Sequence, residues 1–235
     1  MLKDPGKVLA LVEARVAAIK NLAIEARASY YDEKLVRKGK VELVVAQPTS
    51  IFFSALSPTG DMLSAFASSG GTFTFFARGA KDCYTGAACR ENVARFLPIP
   101  LEVREVVRLA SGAVPVLAPA KRTLRWDTRT GAYCVTLKDP GGRVQQLWIT
   151  HKTGLVVRAT LRKKGKLIYD IAFSKVAKVG AHLLPHRIRV KMSLRSLDLK
   201  LDVRDAESDS TDITAKTFQL ACPAGTDKVA LPCRK

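Results

Sequence analysis

Apolar residues recur along this chain with two different periods, and the change of period marks its architecture. Asp4 suits an N-cap and Pro5 a first helical position, and Val8, Leu9, Val12, Val16 and Ile19 then fall on one helical face. The pattern predicts an amphipathic helix over 5–20. From Leu22 the period becomes two. Leu22, Ile24, Ala26, Ala28 and Tyr30 alternate with Glu25, Arg27 and Ser29; after a turn around 32–39, Val41, Leu43 and Val45 alternate with Lys40 and Glu42. Further strands are expected at 50–56, 61–67 and 72–77, separated by the turn-forming runs Ser57-Pro58-Thr59-Gly60 and Ser68-Ser69-Gly70-Gly71. Together these strands make an antiparallel meander with one apolar face.

The alternation breaks after residue 77. Residues 83–89 read as a loop and 91–97 as a short helix. Pro100 reads as the opening of another helix, in which Leu101, Val103, Val106, Val107 and Leu109 face inward until Ser111-Gly112 ends it. This helical insert occupies about 89–111. Strands are expected again at 122–127, 132–138, 143–150, 155–162, 166–174, 184–192 and 196–204. The last two are the clearest: Ile188, Val190 and Met192 alternate with Arg187, Arg189 and Lys191, and Leu197, Leu199, Leu201 and Val203 alternate with Asp198, Lys200, Asp202 and Arg204. No long linker or fixed-period repeat divides the chain, so residues 1–235 read as a single domain. The expected fold is mainly β (α+β). It is an incomplete, strongly curved antiparallel β-barrel of about 11–12 strands, with the N-terminal helix and two inserted helices covering its concave apolar face.

Charge changes the picture next. The 235 residues include 39 Lys+Arg against 21 Asp+Glu, a formal net charge of +18, yet 47% are hydrophobic, which excludes a disordered polycation. No stretch approaches the roughly 18 consecutive apolar residues of a membrane-crossing helix. In the clearest strands the basic residues alternate with the apolar face, and elsewhere they crowd the turns at 37–40 and 162–166. The surplus therefore reads as the outer skin of an apolar half-barrel. Aromatic residues cluster away from those turns, at 30–31 and 52–76, which argues against a nucleic-acid stacking platform. The expected partner is an acidic membrane surface or an acidic protein, with no nucleic acid.

Candidate chemistry is sparse. The chain lacks G-x-S-x-G, G-x-x-x-x-G-K-[ST], G-x-G-x-x-G and H-E-x-x-H, so a non-enzymatic protein with no catalytic residues and no cofactor is expected. His182 and His186 are four apart, but Pro185 places them at a strand entrance, and His151 sits in a turn with no evident carboxylate partner. The cluster Asp205, Glu207, Asp209 and Asp212 lacks the Gly and terminal Glu of a calcium loop; no metal site is assigned. Cys83 with Cys89, and Cys222 with Cys233, read as disulfides closing short loops. Free thiols and zinc are the alternatives, zinc against the usual ligand spacing. Two disulfides would imply an oxidising compartment and hence a removed export signal. Cys134 reads as a half-buried structural thiol.

Phe52, Phe53, Phe66, Phe73, Phe75 and Phe76 fall in three successive expected strands and suit a hydrophobic pocket roofed by helices, a packed core being the plain alternative. At this point the element order resembles the LolA/LolB-type lipoprotein carriers and receptors. The run Ala55-Leu56-Ser57-Pro58-Thr59-Gly60-Asp61-Met62-Leu63 looks like the "L-S-P-x-G-x-x-L" turn of the LolB side. Leu97-Pro98-Ile99-Pro100-Leu101 is similar to its "L-P-x-P" segment, and the run from Phe218 to Pro223 is similar to the family's closing strand.

The resemblance implies a protein of the periplasm or the periplasmic face of the outer membrane, anchored there if a lipidated cysteine lies upstream of residue 1. It implies a monomer that holds acyl chains of lipoproteins or lipids in an apolar half-barrel cavity, for transport or insertion at the outer membrane. The expected cavity residues are Leu43, Phe53, Leu63, Phe73, Phe75 and Ile149 from the sheet, with Phe96, Leu97, Leu101 and Val106 from the helices. A one-residue parity change would exchange Phe53 for Phe52 and Phe75 for Phe76. One departure is visible: LolB-type receptors carry a protruding apolar residue in the loop between the third and fourth strands, whereas 57–61 is polar here. The alternative is an envelope assembly module using the same half-barrel with a collapsed cavity. A polyanion binder comes last.

Overall fold

Residues 2–31, 36–97, 99–118, 121–193 and 196–233 are described by a computed structural model. Helix α1 spans Pro5–Ala17; the Asp4 carboxylate accepts from the Gly6 N–H at 2.8 Å, capping the first turn. Its stripe Val8, Leu9, Val12 and Val16 is buried. The helix stops short of the expected residue 20, and Ile19 is buried beyond its end.

The first meander consists of β1 (Asn21–Tyr31), β2 (Val36–Ala46), β3 (Ser50–Leu56), β4 (Met62–Ser69), β5 (Thr72–Ala77) and β6 (Asp82–Ala87). Helices α2 (Arg90–Phe96) and α3 (Val103–Ala110) follow. The second meander runs β7 (Lys121–Asp127), β8 (Ala132–Lys138), β9 (Arg143–Thr150), β10 (Val156–Lys163), β11 (Lys166–Val179), β12 (His182–Met192) and β13 (Leu197–Ser208). A 3-10 turn at Ala215–Phe218 leads to β14 (Asp227–Leu231). All are neighbours in one strongly curved, unclosed sheet, ordered β14-β6-β5-β4-β3-β2-β1-β13-β12-β11-β10-β9-β8-β7.

The two meanders join where β1 meets β13. Ala28 lies opposite Leu201 and Tyr30 opposite Leu199, so both strands turn the same apolar set inward; a bulge between Glu25 and Ala26 preserves that facing on both sides.

Several expectations are corrected. The sheet has 14 strands among the described residues, not 11–12. Residues expected to be a loop around Cys83 form β6, whose sequence Asp82-Cys83-Tyr84-Thr85-Gly86-Ala87 has no clean apolar alternation to announce it. The closing strand is β14, not the run from Phe218 to Pro223, and it pairs parallel to β6 rather than antiparallel. The disulfides are Cys83–Cys222 and Cys89–Cys233, not the local pairs. They staple the C-terminal segment to β6 and to the start of α2, beside the parallel pairing of β14. Gly86 is required there: at φ +155 a Cβ would lie 2.4 Å from the Leu231 carbonyl oxygen.

Helix α3 begins at Val103 rather than Pro100. Leu97, Ile99 and Leu101 instead bury their side chains in irregular chain ahead of it, and the Glu102 N–H donates to the Glu105 carboxylate at 2.8 Å to start the helix. Of the turn expected at 32–39, residues 36–39 belong to β2 and 32–35 lie outside the described residues, as does Pro98.

Helices α1 and α3, with the strap 113–117, fill most of the concave face. Gln145, fully buried on β9, clamps the strap: its amide donates to the Pro115 carbonyl at 2.7 Å and to the Tyr169 hydroxyl at 2.6 Å, and accepts from the Leu117 N–H at 2.8 Å. The convex face is a ladder of ion pairs. Arg158 forks onto Asp170 at 3.0 and 2.6 Å, Arg189 onto Asp198 at 2.9 and 2.5 Å, and Asp202 takes both Arg187 and Lys200. Much of the basic charge in the clearest strands is thus neutralised across strands.

Candidate ligand cavity

One region of the concave face is left unfilled, and residue size explains where. At the ends of β1–β3 the inward positions are small: Ala26 and Ala28 on β1, Gly39 on β2 and Ala55 on β3. Ala28 lies directly opposite Gly39, and Val41 is flanked by Ala26 and Ala55. Where these side chains stop short, a cavity of about 1210 Å³ opens beside α2. That is larger than a usual small-molecule pocket, about 300–1,000 Å³. Its apolar walls include Tyr30, Val41, Phe53, Leu63, Leu97 and Leu199.

Phe96, at the end of α2, forms another wall and is the hub of an aromatic cluster. Its ring centroid lies 4.2 Å from that of Phe75, 5.4 Å from Tyr84, 5.5 Å from Phe73 and 6.5 Å from Phe66. Sheet register builds the cluster: Phe53, Phe66 and Phe75 are successive cross-strand partners on one face. The inward pair is therefore Phe53 and Phe75, not Phe52 and Phe76.

Of the ten expected cavity residues, Phe53, Leu63, Phe96 and Leu97 line this space. Leu43, Phe73, Leu101 and Ile149 are instead buried in the main core, and Phe75 and Val106 pack half-buried against it. Sequence reasoning missed Ala26, Ala28, Gly39 and Ala55. The available signal was the drop in size along Leu22-Ile24-Ala26-Ala28, where the apolar period continues but its volume falls.

Charge at the mouth is mostly positive. Arg37, Lys38, Lys40, Arg95 and Arg204 border the cavity against Glu25 and Glu42, and the Glu42 carboxylate accepts from the Ser54 hydroxyl at 2.8 Å. The turn at 57–61 is polar and bonded to itself: the Asp61 N–H donates to the Ser57 hydroxyl at 3.0 Å and Thr59 donates to the Asp61 carboxylate at 2.9 Å. Met62 and Leu63, directly after it, are among the exposed large apolar residues.

The remaining candidate groups have structural partners. His182 sits 2.6 Å from the Asp209 carboxylate. Burial there pushes that carboxyl up, but the bonds from His182 and from the N–H groups of Lys20 and Asn21 outweigh it and hold it low. His151 Nδ1 lies 2.9 Å from the Tyr133 hydroxyl, which also accepts from the Leu2 N–H at 2.6 Å. Cys134 is a buried free thiol that burial pushes up in pKa, which makes it a poor nucleophile. Among the described residues no group of three or more His, Cys, Asp or Glu converges as metal ligands.

No protein-family model matches this chain, and no curated protein matches its sequence. Solved structures do match in shape. A DUF1329 family protein from Desulfovibrio piger ATCC 29098 has a TM-score of 0.64 at 14% identity, over 93% of this chain and 98% of that one. The LolA superfamily protein NE2245 from Nitrosomonas europaea has 0.62 at 10% identity, over 94% and 99%. A domain from Vibrio parahaemolyticus, named for outer membrane lipoprotein sorting, has 0.52 at 11% identity, over 92% and 97%. The fold is LolA-like.

Proposed function

We propose that this LolA-like chain is a non-enzymatic lipid- or lipoprotein-binding protein of the bacterial cell envelope, holding acyl chains in the cavity beside α2. The observation that carries the reading is the cavity itself, walled by Phe53, Phe96, Leu97 and Leu199 and left open by a run of Ala and Gly. Each buried methylene contributes about 0.8 kcal/mol, so one long acyl chain gains on the order of 10 kcal/mol before ordering costs. That suffices for reversible extraction without any catalytic group. The two disulfides suit an oxidising compartment such as the periplasm.

A second reading, an envelope assembly module, is favoured by one observation: Leu43, Phe73, Leu101 and Ile149 are packed shut in the core rather than lining open space. Native mass spectrometry of protein purified from its own envelope, with extraction of bound lipid, separates the two. Acyl-bearing adducts are expected on the wild type and lost on Ala28→Phe with Ala55→Leu, which fill the cavity. Reproducibly lipid-free wild-type protein would leave the assembly role.

A further inference from the structure

Sheet register places a group of basic hairpin residues and the cavity mouth at the same end of the molecule. Tyr31 pairs with Asp198, Met192 with Tyr169, Lys163 with both Lys166 and Arg143, and Lys138 with both Val144 and Lys121. Following these pairs across the sheet, the β8–β9 and β10–β11 hairpins and the start of β7 share one rim with the β1–β2 end that borders the cavity. Neighbouring strands lie about 5 Å apart, so the β10–β11 hairpin begins within roughly 15 Å of β13.

That rim is strongly basic. The β10–β11 turn carries Arg162, Lys163, Lys164 and Lys166, all exposed, and no acid. Lys121 and Arg122 open β7, and Lys138 and Arg143 flank the β8–β9 turn. Among the described residues, the nearby carboxylates Asp139 and Asp198 are engaged, by Arg143 and Arg189 respectively. At the opposite end β13 runs out through Asp205, Glu207 and Asp209. Basic residues are thus gathered at this rim, while β13 carries acids at its far end.

A second observation decides what the rim meets. Val36 and Leu63, two of the exposed large apolar residues, border the cavity mouth, and the exposed Tyr31 and Met62 lie at the same end of β1 and β4. Basic residues ringing exposed apolar ones match an interface that is anionic at its surface and greasy beneath. We propose that this rim docks on an anionic lipid bilayer, with the cavity mouth facing the leaflet. The proposal rests on the acyl-binding reading for its purpose but not for its test. Seated this way, an acyl chain passes between leaflet and cavity without crossing bulk water.

The test uses co-sedimentation of the full chain with phosphatidylcholine vesicles, with and without phosphatidylglycerol, alongside displacement of a fluorescent fatty acid in solution. The variant Lys138→Glu, Lys163→Glu, Lys166→Glu touches no cavity wall. It is expected to lose at least tenfold in binding to phosphatidylglycerol vesicles while keeping fatty-acid binding. The control Lys20→Glu, Lys152→Glu, Lys178→Glu makes the same charge change at the opposite end and is expected to stay within twofold of wild type. Equal binding to neutral and anionic vesicles, equal loss in both variants, or no wild-type vesicle binding would overturn the docking proposal. Vesicle binding without fatty-acid binding would overturn the acyl-binding reading and leave the docking face standing.

Discussion

The guanidinium of Arg15, on α1, donates to the carbonyl oxygen of Ser111 at 2.8 Å, at the C-terminal end of α3. It reaches the Gly112 carbonyl at 2.9 Å as well, so one side chain ties together the two helices that fill the concave face. The tie is reciprocated by Arg108 of α3, which forks onto Glu13 of α1 at 2.9 and 2.7 Å. Burial, with Arg108 nearby, pushes the Arg15 pKa down to about 10. The site therefore holds a charge at a desolvation cost that the helix-end carbonyls offset.

Arg15→Met leaves two carbonyls of the buried residues Ser111 and Gly112 without this donor and is expected to cost about 2 kcal/mol in urea unfolding. Arg15→Lys keeps the charge but not the fork, and is expected to recover less than half of the loss. A Lys variant as stable as wild type would show that charge alone matters here.

Phe96 tests whether the roof of the cavity also supports its wall. Phe96→Ala removes the ring at the centre of the Phe66, Phe73, Phe75 and Tyr84 cluster and is expected to destabilise by about 3 kcal/mol. It also enlarges the cavity. Binding of a bulkier acyl probe should therefore fall less than thermal stability does; unchanged stability would mean that α2 is not packed as described.

Disulfide removal should act locally as well as globally. Each bridge spans a long stretch of chain, with separations of 139 and 144 residues, but once one is closed the other adds only a short loop. Deleting either pair by Cys→Ser is expected to cost about 3 kcal/mol, and deleting both appreciably more. Hydrogen exchange under reducing conditions should lose protection in β14 before β10–β13. Equal protection of β14 with and without reductant would show that its pairing to β6 suffices.

Tyr169 sets an alkaline limit. Its phenol is buried, which pushes its pKa up to about 12 despite the amide bond from Gln145. The unfolded chain releases this proton near pH 10 while the folded protein retains it, so stability is fully present below pH 10 and falls as pH rises toward 12. Tyr169→Phe should flatten that part of the pH–stability curve. Phenolate absorbance titrating normally near pH 10 in folded protein would refute the assignment.

How far these features could be read from sequence varied with the strength of the local period. Strands such as β12 and β13, where every second residue is apolar, were legible almost to their ends, as were α1 and its cap. Strands β6 and β14 were not, because Asp82 to Ala87 and Asp227 to Leu231 bury too little on one face to leave a period. The cavity was half legible. Phe53, Phe96 and Leu97 stood out by size, whereas Ala26, Ala28, Gly39 and Ala55 act through what they omit, and an unfilled volume exists only once three strands and a helix surround it.

By itself the sequence determined the apolar face of each regular strand and the greater part of the strand order, since alternation of side chains is a local property of extended chain. Tertiary structure alone decided three things. It set the cysteine pairing, because which sulfurs meet depends on β14 lying beside β6. It decided which phenylalanines wall a space and which fill the core, because that depends on where α1 and α3 come to rest. It also decided that the basic hairpins of a +18 chain share one rim with the cavity mouth, because residues distant in sequence come together only after the strands align.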